Sequence, residues 1–163
     1  GALGFDPPSL EAAANWCLQN NVNYEESLAW INRATDPNLG AVKSFRALST
    51  KAGLLTKLNR TAEADTIMKA ALETATVVEM HQYGRQLQAQ KKYTEAFAIF
   101  EKNYKKHKGA WPTNAGMMRG YSALGNYKKA LEHAKLALAQ APDEVNKNFL
   151  EQAVKTLSEG KPL

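Results

Sequence analysis

GNYKKALEHAKLALAQAP, residues 125–142, contains a tight turn and one complete amphipathic helix, and its order of residue types recurs along the chain. It runs small residue, polar residue, Tyr127, two polar residues and Ala130, then Ala134, Ala137 and Pro142. Around Lys91 the same order reads Lys-Lys-Tyr93-Thr-Glu-Ala96 followed by Phe100, and Tyr93 lies 34 residues before Tyr127. Asn59-Arg60-Thr61-Ala62-Glu63-Ala64, with Met68 and Ala71 behind it, places Thr61 32 residues before Tyr93. Asn23-Tyr24-Glu25-Glu26-Ser27, with Ile31, Ala34 and Pro37, places Tyr24 37 residues before Thr61. Four occurrences at nearly constant spacing predict an array of like units, each burying its apolar surface against the next.

Outside these turns the apolar residues return at intervals of three and four rather than two: Leu48, Ala52 and Leu55; Phe97, Phe100 and Tyr104; Leu131, Ala134 and Leu138. That period belongs to helices, so the expected class is all-α. Breakers at 20–23, 36–40, 59–61, 74–76, 90–92, 108–113, 125–126 and 141–143 cut the chain into eight short helices and a ninth over 144–158. For the ninth, Asp143 is the expected N-cap and Gly160 the stop. Leu150, Ala153, Val154 and Leu157 form one apolar stripe on it, as a capping helix requires, and Lys147, Asn148, Glu151, Gln152 and Lys155 remain for water.

This period and pattern resemble the tetratricopeptide repeat, a helix-turn-helix unit of about 34 residues with small and aromatic residues at fixed places. The likeness covers roughly Ser9 to Pro142. The fourth unit matches best, through Tyr121, Gly125, Tyr127, Ala130, Ala137 and Pro142; the third offers Gly84, Leu87, Tyr93, Ala96 and Phe100; the second offers Ala52, Leu55, Ala64, Met68 and Ala71. The first keeps Leu18, Tyr24 and Ala34 but has Asn15 and Ser27 at small positions, and Met118 departs likewise in the fourth. The resemblance implies a single domain over 1–163, a right-handed α-solenoid of about four repeats (8–40, 45–76, 77–110 and 111–142) closed by the helix at 144–158. Small residues at Gly84, Ala52, Ala64, Ala96 and Ala130 suit the points where paired helices cross, because a larger side chain there holds the backbones apart. Tyr93 and Tyr127 open second helices and are expected to cover the seam between units. Stretches 9–23 and 111–124 also look like the helical C-terminal part of certain exported bacterial proteins of unknown function that begin with a β-rich domain.

The resemblance further implies that the first helix of each unit lines a concave groove suited to a peptide or a partner helix. By the family register the groove positions include Trp16, Arg46, His81, Gln82, Arg85, Gln88, Arg119 and Ser122. One line of equivalent positions runs Trp16, Gly53, Arg85, Arg119; two arginines there can fork a carboxylate, and Trp16 can take an apolar anchor. Solvated arginine and a packing tryptophan are the plain readings of the same residues. Family members that clamp a terminal carboxylate use Lys and Asn in the first unit, where this chain has Ala12 and Trp16. The expected function is a non-catalytic protein- or peptide-binding module, with a partner that can carry acidic groups. The alternative is a structural appendage that packs on another domain of the same protein or self-associates.

Other features add little chemistry. The chain of 163 residues is 44% hydrophobic and 23% charged, well inside the globular range, and 21 Lys plus Arg stand against 16 Asp plus Glu. The excess is spread out except for four lysines between Lys102 and Lys108, at the end of an expected helix where the dipole favours cations. Few aromatics interleave with that charge, so nucleic acid is not expected. No run approaches the roughly 18 apolar residues of a membrane span, and no membrane partner is expected. His81, His107 and His133 lack ligand spacing, so no metal is expected. Cys17 has no activating neighbour in sequence and reads as packing. No nucleophile elbow, phosphate loop or paired-carboxylate motif is present, so neither an enzyme nor a cofactor is expected. Asn59-Arg60-Thr61 matches a glycosylation triplet, and Trp111-Pro112 reads as either a packing staple or an exposed contact. The expected state is monomeric. The chain starts GALGFDPP without Met, which leaves an exported protein with its leader removed and a cytoplasmic one both open.

Overall fold

The computed structural model describes residues 6–39 and 44–163. Among them are nine α-helices and no strand: α1 (Pro7–Asn20), α2 (Tyr24–Ala34), α3 (Phe45–Lys57), α4 (Thr61–Thr74), α5 (Val77–Ala89), α6 (Tyr93–Lys106), α7 (Trp111–Ala123), α8 (Tyr127–Ala139) and α9 (Glu144–Ser158). A 3₁₀ turn at Pro37–Leu39 follows α2. Each helix packs on its neighbour in sequence within two compact units, one holding α1–α4 and the other, from Thr76 to Leu163, holding α5–α9. The arrangement is all-α and repeat-like. The contacts gather into one unit that ends at Ala75 and another that begins at Thr76.

The repeated turn has a repeated local cause. At each of four helix ends a backbone N–H two or three residues past the helix reaches five residues back: Val22 to Cys17 (3.1 Å), Arg60 to Leu55 (2.8 Å), Lys92 to Leu87 (2.9 Å) and Asn126 to Tyr121 (2.9 Å). That bond satisfies an orphan carbonyl and needs a left-handed residue just before it. Asn59 (φ 60°), Lys91 (φ 61°) and Gly125 (φ 80°) supply it, and Asn21 (φ 56°) does so in the first turn. Asn and Gly tolerate this conformation; Lys91 adopts it against its own preference.

The α9 expectation holds at both ends. Asp143 accepts a bond from the Asn146 N–H at 2.8 Å, Gly160 sits at φ 69°, and Leu150, Ala153 and Leu157 are buried. One boundary differs. The breaker pattern predicts a turn through Trp111 and Pro112, but they form the first turn of α7, where proline lacks only an N–H the helix does not use. Trp111 packs against the core of α7, α8 and α9, which decides for the staple reading.

In unit 1 the core is aliphatic and includes Ile31 and Leu54, and Cys17 is buried as well. In unit 2 the fully buried Phe100 ring lies against three helical glycines. A Cβ on Gly84 would run into the ring; one on Gly116 would lie 2.7 Å from Phe100 Cδ1, and one on Gly120 3.2 Å from Cδ2. Gly84 was expected at such a crossing; Gly116 and Gly120 were not, although their spacing of four puts both on one face of α7. Met118, between them, faces the other way and is buried with Ala130, Ala134 and Ala137 of α8. Tyr93 does not bury itself as expected: it is 41% exposed, whereas Tyr127 packs against the α7–α9 core.

Candidate functional site

The groove positions separate by unit. In unit 1, Trp16 is 61% exposed and free to make a contact. Arg46 is committed: its Nε lies 2.5 Å from Glu11 Oε1 on α1. Gly53 is not a groove position, because a Cβ there would meet Leu18 Cδ2 at 2.6 Å. Its role is to let α3 approach α1. A cleft of about 430 Å³, unforeseen from the sequence, opens among α2, α3 and α4, where the Arg60–Glu63 ion pair occupies part of its wall.

In unit 2 the fold brings His81, Arg85 and Arg119 together, because α5 packs on both α6 and α7. Gln88 ties the two first helices by donating from Nε2 to the Arg119 carbonyl at 3.0 Å. Arg85 and Gln82 are exposed on α5. Arg119 is partly buried on α7, its Nε is enclosed without an acceptor, and its Cζ lies 5.1 Å from the centre of the Phe149 ring of α9. Ser122 is not open as expected: it is 5% exposed and its hydroxyl accepts the Leu163 N–H at 3.0 Å. Ala115 on the same face is buried as well. The C-terminal residues and α9 therefore border the first-helix face of unit 2, which was expected to be bare, a return that no local pattern in the chain encodes.

The electrostatics follow from this crowding. Burial is the main reason Arg119 holds its proton less tightly than an ordinary guanidinium, with the Arg85 charge adding to it. His81 is pushed down to about 4, first by burial, then by Arg119 and Arg85, against a weaker pull from the Pro112 backbone. It is neutral at pH 7, with its ring 5.8 Å from that of Phe100 and its Nδ1 enclosed without a partner. Arg46–Glu11, Arg60–Glu63, Lys105–Glu101 and Lys161–Glu159 form ion pairs among the described residues, and neither Arg85 nor Arg119 takes part in them. Two cations thus share a partly desolvated face with no anion between them, an arrangement that attracts a carboxylate or similar group.

The remaining histidines serve the packing. His107 Nδ1 pairs with Asn103 Oδ1 at 2.7 Å, and the Asn103 amide donates to the Val77 carbonyl at 3.0 Å. His133 Nδ1 meets Asn114 Oδ1 at 2.9 Å, while the Asn114 amide reaches Gln140 and the Gly109 carbonyl. These networks fasten α6 to α5 and α8 to α7. No family model matches the chain, and neither a curated protein nor a solved structure does.

Proposed function

We propose that this chain is a tetratricopeptide-like, non-catalytic binding module that holds an acidic segment of another protein against the α5–α7 face of unit 2. The observation that carries the reading is the pair Arg85 and Arg119, gathered on one face without a carboxylate partner. The four recurrent turns and the consecutive helix packing support the family likeness. The competing reading, an appendage that packs on another domain or on itself, draws on Val145 and Phe149, two apolar side chains exposed on α9.

The test is a peptide array in which each acidic peptide is matched by a copy with Glu replaced by Gln, probed with the wild-type chain and with Arg85→Glu. Arg85 is exposed, so the variant is expected to melt with the wild type, within about 0.5 kcal/mol of stability. Wild-type protein should retain acidic peptides in a salt-sensitive manner and the variant should lose them. Equal retention of Glu and Gln peptides, or a variant that binds as well as the wild type, would overturn the proposal. A mass that rises with protein concentration would favour the appendage.

A further inference from the structure

We infer that α9 is one wall of the binding face as well as a cap, and that the face reads a composite determinant: a carboxylate beside a large apolar side chain. This rests on the reading above and names the chemistry of its partner. Val145 and Phe149 stand four residues apart on α9, hence on one side of the helix, and are 79% and 42% exposed. A helix that only closed a stack would turn polar residues outward there. Phe149 also holds the Arg119 guanidinium, with Cζ 5.1 Å from the ring centre, so the apolar stripe begins where the cationic face ends. The aromatic fixes the position of the arginine head, and the enclosed Nε has no protein acceptor that would draw that head elsewhere.

The occupant follows from complementarity. A second copy presenting the same face would set Arg85 and Arg119 against their own equivalents, which disfavours a symmetric dimer. Single-stranded nucleic acid wants several stacking platforms along a basic track, and Phe149 is followed by Val145, which offers none. An extended peptide places side chains two residues apart on one side, about 7 Å from each other, a span that lets one reach the arginines and the other Phe149.

The probes are three blocked tripeptides: acetyl-Glu-Gly-Leu-amide, acetyl-Glu-Gly-Gly-amide and acetyl-Gln-Gly-Leu-amide. Binding is read from backbone amide shifts of the whole chain, with wild type, Phe149→Ala and Arg85→Glu. The Glu-Gly-Leu probe should shift α5, α7 and α9 amides together and bind about fivefold more tightly than Glu-Gly-Gly, the preference expected for part-burial of one aliphatic side chain. Phe149→Ala should erase that preference, and Arg85→Glu should weaken both acidic probes. If the two acidic probes bind alike and Phe149→Ala changes nothing, α9 is no wall, while the cationic reading survives. If Gln-Gly-Leu binds as well as Glu-Gly-Leu, or no probe shifts the face, both fall. Two other results overturn the inference: a mass doubling abolished by Phe149→Ala, which assigns the face to a second copy, and tighter binding of an oligothymidine at the same amides.

Discussion

Single positions record where the chain obeys a local preference and where the fold overrides it. Lys91 occupies the left-handed place that Asn59 and Gly125 fill in sister turns. Lys91→Gly should therefore stabilise the protein by about 0.5–1 kcal/mol, offset in part by the greater freedom of glycine when unfolded; urea denaturation measures it. Gly125→Ala should do the reverse, although a Cβ there meets nothing within 4 Å, because its cost is backbone strain alone. His81 carries a different consequence. The unfolded chain takes up its proton near pH 6.5 and the folded protein only near pH 4, so between those values the unfolded state holds more protons and stability falls as pH drops. His81→Gln should flatten that part of the stability-against-pH curve. An unchanged slope would show that the imidazole is more solvated than its surroundings suggest.

Helices and their turns were largely legible in the sequence, since turns and caps are set by neighbours in the chain. Asp143 is an example: its side chain caps α9 through the Asn146 N–H, and Asp143→Ala should cost about 1 kcal/mol, seen as early loss of α9 amide protection. Crossings were legible only where the spacing was familiar. Gly84 stood out, whereas Gly116 and Gly120 did not, and yet all three make room for one Phe100 ring. Gly116→Ala should destabilise by roughly 1–3 kcal/mol, because a Cβ 2.7 Å from Phe100 Cδ1 forces that ring or α7 to shift. Phe100→Leu in the same chain should recover part of the loss. The Trp111-Pro112 pair shows the converse limit: proline marks a boundary, but a helix start and a turn use it equally well.

At the level of the molecule, the two units differ in what they titrate. His81, His107 and His133 all lie between Thr76 and Leu163, and both His81 and His133 hold their protons less tightly than usual, mainly through burial. Lowering the pH from about 7 to 5 should weaken amide protection in α5–α9 and leave α1–α4 nearly unchanged; hydrogen exchange resolved by residue checks this. The candidate site belongs to this scale too. The sequence by itself determined the helices, their turns and their order, because a period of three to four and a left-handed turn residue act over a few neighbours. It also set Arg85 and Arg119 34 residues apart, the same interval that separates Tyr93 from Tyr127. Tertiary structure alone decided that Arg46 is spent on Glu11, that Ser122 lies under Leu163, and that Phe149 meets Arg119. The physical reason is that each such pairing joins residues about 30 or more apart in the chain through packing, and no local pattern encodes which exposed cation will find an acid and which will be left without one.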